Sequence, residues 1–582
     1  MDGVPLELKF IKTITITKTK TITKTKTKTK INTKTKTLTK TKTNMLMIGK
    51  VLKSMAAAAF ALAPLCASAQ NPYLPMWEYI PDGEPYVFED PDKPGEYRVY
   101  IYGSHDTLEK YYCGLEQVVW SASVNDLTNW RYDGVIFTSK WGPDGRLLNA
   151  DGRGDVLYAP DVAMKIGKDG KKEYYLYPNN QAWGRNGQVA KSDRPDGPFK
   201  VINWDKSNPT RNVGVLEFDP GVFVDDDGRV YGYWGFEHSY AAEFDPETMA
   251  TVKPGTQIID GMVSHCKEDG EFRFFEASSM RKIQDKYVFI YSRMTGEGEF
   301  GLPSVNYTLA YAYSDNPLGP WTYGGTLIDG RARETDENGN TICTAVPYGN
   351  THGSLCEING KWWIFYHRQT GTDEYSRQAM VAPVTVKVEK GKGGKVTISE
   401  GEYNSEGFMT EGLNPLNRSM AGWACYLINP KGVEHNYPNN TFTGSYVKAT
   451  RADFAAYDFS SSLNTPYCPV INNTNGSIAG YKYFNFDHTA KANAIDLNVR
   501  IKPEGIDGKV TVMIGNPKES RGGKKIGEFS VSKNAKKEMT EVSMPVNALK
   551  GTKGKQALFF VFASTTEDKS ICELYDFQFV KK

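Results

Sequence analysis

Along most of the chain, short runs of aromatic and β-branched residues alternate with turns rich in Gly, Asp, Asn and Lys, with hardly any helical period. Five runs echo one another: YRVYIYGS (97–104), EYYLYPN (173–179), RVYGYWG (229–235), KYVFIYS (286–292) and KWWIFYH (361–367). Such residues suit a pleated, half-buried surface, and their bounding turns mark each run as a strand. Each follows another short strand across a hairpin turn, as in VFVDDDGRVYGYW and EINGKWWIFY. Three lead into a further strand that ends in a turn and an aromatic, as in LAYAYSDNPLGPW. Three to four strands per unit, repeated five times, predict an all-β fold that begins with a five-bladed β-propeller over residues 71–411.

The pattern then changes. A Gly/Pro/Asn-rich junction at 412–420 precedes strands such as AIDLNVRIKP, KVTVMIG, QALFFVFAS and ELYDFQFVKK. These predict a C-terminal β-sandwich of jelly-roll type over residues 421–582.

The N-terminal end reads as processed rather than folded. Lys12 to Lys42 is nearly pure Lys/Thr alternation with nothing to bury, and residues 1–44 are read as lying upstream of the true start, a basic surface-binding arm being the alternative. A start at Met45 or Met47 gives a secretory signal peptide over residues 45–69. Lys50 and Lys53 form its basic region, Met55 to Leu65 its apolar region, and Ala67-Ser-Ala69 its cleavage site. The apolar run falls short of the ~18 residues a membrane span needs. A secreted or periplasmic protein is expected. Cys66 raises an outer-surface lipoprotein as the alternative, which the bulky Leu65 before it disfavours.

Composition narrows the partners. The 12% aromatic content suits large cores and sugar-stacking surfaces. The formal net charge of +2 includes the basic tail, so the processed chain is acidic and nucleic acid is not an expected partner. Beyond Cys66, the seven cysteines form no C-x-x-C pair, so no zinc site is expected, and their odd number leaves at least one thiol free.

In a propeller the innermost strands start near a shared cavity. The residues at those starts are Glu84, Asp161, Asp219, Glu276 and His352. One acid at a strand start is ordinarily a turn residue or a solvated charge. Four carboxylates and an imidazole in equivalent places would repel and shift one another's pKa values, which points to function.

The ordered set GEPYVF, YAPDV, FDPGVFVDDDG, FFEASSM and THGSL, between about Asn71 and Glu411, resembles glycoside hydrolase family 43. The resemblance implies a five-bladed propeller that cleaves arabinofuranosides, xylosides and relatives with inversion. Glu276 would be the general acid and Asp219 the residue tuning it. A carboxylate of the first blade would be the base, across a gap of about 6.5–9.5 Å. It further implies Asp161 and Arg377 as sugar-binding residues, one structural calcium on the axis that His352 meets through water, and no organic cofactor. Trp120, Trp183, Trp234 and Phe275 are candidate stacking surfaces, with packing between blades as the alternative for each; Trp234 and Phe275 are carried as binding residues.

The family usually places an aspartate directly before proline at the base position. Here that slot holds Glu84, with Asp82 two residues earlier, so Glu84 is the expected base and Asp82 the alternative. The C-terminal region, with GYKYFNF, KGKQALFFVF and YDFQFV, resembles family 6 carbohydrate-binding modules; Tyr481 and Tyr483 are either platforms or core. The expected activity is a secreted, inverting exo-glycosidase on plant polysaccharide, foremost an α-L-arabinofuranosidase. β-Xylosidase, β-galactofuranosidase and a catalytically silent sugar-binding propeller are the alternatives. A retaining, fructan-type hydrolase needs an NDPNG-like first strand, which IPDGEP matches poorly.

Overall fold

Hairpin turns set the architecture. In a computed structural model of the protein, the residues described are 70–582, apart from 109, 348, 371–372, 433–434, 437–440, 443 and 450–467. The Lys/Thr tract, the expected signal peptide and Cys66 lie outside them. The described residues contain no α-helix, only three-residue 3-10 turns among strands.

Five antiparallel sheets follow one another along the chain. The first joins β1 (Glu84–Glu89), β2 (Tyr97–Tyr102), β3 (Glu116–Ser123) and β4 (Asp126–Thr138), in that order. The second joins β5 (Asp161–Ile166), β6 (Lys172–Tyr177), β7 (Ala190–Ser192) and β8 (Lys200–Val201). β9 (Gly221–Val224), β10 (Val230–Trp234), β11 (Tyr240–Phe244) and β12 (Ile259–Asp260) make the third. The fourth holds β13 (Phe274–Ile283), β14 (Lys286–Arg293), β15 (Thr308–Ser314) and β16 (Thr322–Asp329). A hairpin, β17 (Arg333–Thr335) with β18 (Thr341–Thr344), precedes the last, made of β19 (Ser354–Ile358), β20 (Lys361–Gln369) and β21 (Arg377–Val384). The five aromatic echoes coincide with β2, β6, β10, β14 and β20.

First strands meet their neighbours. β5 lies beside β9, β9 beside β13, and β1 beside β19. The Tyr86 hydroxyl on β1 donates to Asp161 on β5 at 2.6 Å, and the Ser279 and Ser354 hydroxyls join β13 to β19 at 2.8 Å. The start of the described chain ties back to the last sheet: Asn71 Nδ2 donates to the Val381 carbonyl at 2.7 Å. Because strands alternate in direction, the second and fourth strand of a sheet end on the face where its first strand begins.

C-terminal to these, a five-stranded sheet orders Tyr426–Ile428, Ile478–Asn485, Lys555–Ala563, Gly508–Ile514 and Lys524–Val531. A second sheet orders Tyr446–Val447, Val470–Ile471, Cys572–Lys581, Ile495–Pro503 and Thr540–Pro545, with Ser419–Met420 also on Cys572–Lys581. In Ile495–Pro503 every second residue is buried, as expected of a strand with one face on a core. One apolar cluster runs from Tyr73, Trp120 and Phe365 to Leu497, Phe560 and Phe577. Buried Arg368 reinforces the joint, donating to the carbonyls of Gly422 at 2.6 Å and Ala424 at 2.7 Å. Cys113, Cys266, Cys343, Cys356, Cys425 and Cys572 are free thiols. Among the described residues, no helix is long and apolar enough to cross a membrane.

Candidate active site

The pocket is built from residues just ahead of the first strands. β1 starts at Glu84, β9 at Gly221 and β19 at Ser354; two residues upstream lie Asp82, Asp219 and His352. Two residues ahead of β5 is Ala159, and all four line one cavity of about 190 Å³ together with Glu276 and Arg377. Asp82 has φ 58° and Asp219 φ 48°, left-handed conformations that Asp tolerates better than most residues. Glu276 sits within β13, but the ladder slips on both sides of it and the next residue, Ala277, has φ 68°. The three acid-bearing segments thus all leave regular strand geometry where they meet the pocket, as strained active-site backbones do.

Donors surround Asp82. Arg377 Nη1 donates to Oδ1 at 3.0 Å and the Ser104 hydroxyl donates to Oδ2, while the Asp82 N–H donates to His367 Nδ1 at 3.3 Å. Burial alone would raise its pKa. The Arg377 guanidinium above all, with the Ser104 hydrogen bond, overrides that and holds the carboxyl below the ordinary aspartate value.

Glu276 has the opposite environment. Among the described residues nothing donates a hydrogen bond to its carboxyl. Burial, and then the charge of Asp82, push its pKa up to about 8 against the pull of Arg377. Asp219 is raised well above its ordinary value by burial, Glu276 and Asp82, while Asn179 Nδ2 at 2.9 Å and the Ala277 N–H at 3.1 Å hold its two oxygens. At neutral pH one cavity therefore holds an ionised carboxylate, Asp82, and protonated ones, Glu276 and Asp219, which is the equipment of general acid–base catalysis. Burial lowers the His352 pKa to about 4, so this ring is neutral, with Nδ1 3.6 Å from Asp219 Oδ2.

Glu84 lies elsewhere. As the first residue inside β1 it points beneath the pocket, where Oε2 accepts from Arg281 Nη2 at 2.8 Å and Ser279 Oγ at 3.0 Å. Burial, and then the charge of Asp161, outweigh Arg281 and raise its pKa to about 7. Asp161, equivalent to Glu84, is likewise structural rather than a pocket wall: it accepts from Tyr86 and, at 2.6 Å, from the Val222 N–H. Asp82, not Glu84, is the equivalent of Asp219: each precedes its strand by two residues, where strand alternation does not govern the side chain.

Other candidates divide. Arg377 is pinned in the pocket by Asp106, with Nε to Oδ2 at 2.9 Å and Nη2 to Oδ1 at 2.8 Å, over the Tyr112 ring. Trp234 is no platform; it is buried, stacked on Tyr240 with 5.8 Å between centroids. Phe275 does not line the pocket but props Phe236, which does, edge-on at 5.2 Å. Trp120 is buried and donates to Glu78 at 2.9 Å, whereas Trp183 is 81% exposed. Tyr481 is core.

No three His, Cys, Asp or Glu side chains converge as a metal cage among the described residues. Glu84 Oε1 is buried without a hydrogen-bond partner, 3.9 Å from His352 Nε2, a pair that suits the outer sphere of a hydrated cation.

Sequence reasoning missed Ser104, Asp106, His367 and Asn179. Each follows or ends the second strand of its sheet, which returns to the pocket face, so the "GSHD" after β2 was the available signal.

The sequence profile of glycosyl hydrolases family 43 matches residues 84–390, which spans Glu276, Asp219, His352 and Arg377. The chain belongs to glycosyl hydrolases family 43. It is a glycoside hydrolase. A family relative, a xylosidase/arabinosidase of Thermoclostridium stercorarium, is 34% identical over 430 residues, covering 71% of this chain and 82% of that protein. An arabinoxylan arabinofuranohydrolase of Paenibacillus polymyxa is 26% identical over 430 residues, covering 69% and 62%. A solved family 43 arabinoxylan arabinofuranohydrolase from Bacillus subtilis, in complex with cellotetraose, aligns with a TM-score of 0.42 and 21% identity over 88% of this chain and 97% of that one.

Proposed function

We propose that this family 43 enzyme is an inverting exo-glycosidase that removes terminal α-L-arabinofuranosyl residues from plant polysaccharide. Asp82 is the general base, Glu276 the general acid that burial and the charge of Asp82 keep protonated, and Asp219 the residue that tunes the acid. One observation carries the reading: two carboxyl groups of a single pocket have pKa values displaced in opposite directions. Asp82 deprotonates a water on one face of the sugar while Glu276 protonates the departing oxygen on the other. Glu84 serves as the buried partner of Arg281, not as the base.

A cavity of about 190 Å³ holds one sugar ring rather than a chain, which favours cleavage at chain ends or side branches. Arg377 reaches this ring while Asp106 holds it, and Phe236 provides an apolar rim. The intact acid and base speak against a silent binding protein. Relatives named xylosidase/arabinosidase make β-xylosidase the second reading, with β-galactofuranosidase behind it. A calcium ion, held through water by His352 and the free oxygen of Glu84, would supply positive field beneath the pocket.

The same reading takes the five sheets as the blades of a propeller over 71–411, joined at 412–420 to a β-sandwich over 421–582 that resembles family 6 carbohydrate-binding modules, in a secreted or periplasmic protein. Hydrolysis of the p-nitrophenyl glycosides of α-L-arabinofuranose, β-D-xylopyranose and β-D-galactofuranose, with proton NMR of the first anomer released, tests it. Arabinofuranoside turnover with inversion is expected; retention, or no turnover of any of the three, contradicts it.

A further inference from the structure

Outside the pocket, large apolar side chains crowd one stretch of surface. Val135 and Trp141 are each close to half exposed, and so is Leu147, which bridges Trp141. Trp141 and Trp204 line the same groove of about 470 Å³, with Phe137, Pro143 and Pro198, and Lys200 is the one charged side chain among its described lining residues. An exposed apolar patch of this kind marks an interaction site.

Both indoles are presented by built loops. Trp141 bridges Leu147 in a tight hairpin, closed by Gly142 N–H on the Arg146 carbonyl at 2.9 Å. Trp204 bridges Asn212, whose N–H donates to the Gly184 carbonyl at 2.9 Å. Trp141 follows the end of β4 and Trp204 the end of β8, fourth strands that return to the pocket face.

Contacts connect groove to pocket. From Asp219, Asn179 leads at 2.9 Å to Gln181, which donates to Asn179 Oδ1 at 2.6 Å. Two residues on, exposed Trp183 lies flat against Arg211, 3.8 Å from guanidinium carbon to ring centroid, and Arg211 precedes Asn212. Polar side chains and the exposed Trp183 indole therefore link the rim at Asp219 to the loop that presents Trp204.

We infer that the Trp141–Trp204 groove is an accessory binding site for the main chain of a neutral polysaccharide, whose sugar rings stack on the two indoles. The near absence of charge disfavours anionic ligands, and the position of both loops after fourth strands that end on the pocket face selects the polymer from which the terminal sugar is cut. The choice of ligand rests on the hydrolase reading above; the binding itself requires no turnover.

The test is native gel electrophoresis of the full chain with arabinan, arabinoxylan or arabinogalactan cast into the gel. At least one polymer should retard the wild type and the Glu276→Gln variant equally, so that a failure of hydrolysis and a failure of binding are read separately. Trp141→Ala with Trp204→Ala should weaken the retardation about tenfold in Kd. Trp141→Ala alone, at a side chain 53% exposed, should weaken it in part, with thermal melting confirming an intact fold. Three results overturn the inference: no retardation of the wild type by any polymer, unchanged retardation of the double variant, or a change of oligomeric state in the variants, which would make the groove a contact between copies.

Discussion

Arg377 donates to Asp82 at 3.0 Å while both oxygens of Asp106 grip the opposite edge of the same guanidinium. The cation is shared between a carboxylate that faces the pocket and one that does not. Asp106 thereby holds Arg377 where its charge keeps Asp82 ionised.

Replacing that cation should be visible in the pH profile. In Arg377→Met the burial of Asp82 is left less opposed, so its pKa rises and the acid limb of kcat/KM moves upward by about one to three units. An acid limb that stays in place while KM alone rises would confine Arg377 to sugar binding.

The wild-type profile itself should be bell-shaped. Activity needs Asp82 ionised and Glu276 protonated, so the acid limb lies below the ordinary carboxylate range and the basic limb falls near pH 8. A basic limb near 5, measured as kcat/KM on an arabinofuranoside, would contradict the assignment of Glu276.

Glu276→Gln should lower kcat on polysaccharide by about 10²–10⁴, the usual worth of a positioned acid. The loss should shrink on a dinitrophenyl glycoside, whose leaving group needs no proton. An equal loss on both substrates would mean that Glu276 acts otherwise than by protonation.

Glu276 also links stability to pH. Its native pKa of about 8 lies above the unfolded value near 4.5, so the native state binds more protons between these limits and stability falls as pH rises through that window. Glu276→Gln removes this loss. Its Tm should therefore gain on the wild type by several degrees between pH 5 and pH 8, and a constant difference would contradict the buried, protonated acid.

Much of the architecture was legible because its signals are local: aromatic strands between Gly, Asp and Asn turns announce an all-β chain without any knowledge of contacts. Asp219, Glu276 and His352 could be placed in one cavity because each sits at or beside a strand start in a repeated frame, whereas Arg377 came only from the family resemblance. Asp82 could not be ranked above Glu84, since that depended on where β1 begins: the left-handed turn at Pro81–Gly83 lies outside the strand, and the side-chain direction there follows φ, not alternation. The GSHD motif marks Ser104 and Asp106 but not what they do, and His367 carries no motif. Their roles exist only once the fold sets Ser104 and His367 against Asp82 and Asp106 against Arg377. Trp234 misled because an aromatic that ends a strand near the pocket face looks the same whether it stacks on sugar or on Tyr240.

The most direct measurement compares kcat/KM of Asp82→Asn and Glu84→Gln on one arabinofuranoside. Asp82→Asn is expected to lose about 10²–10⁴ in kcat with its Tm little changed. Glu84→Gln keeps a hydrogen-bonding partner for Arg281 but not its charge; it should retain activity within about tenfold while its Tm falls, because breaking a buried pair costs about 3–5 kcal/mol at most. Loss confined to Glu84→Gln, with Asp82→Asn fully active, would contradict the account.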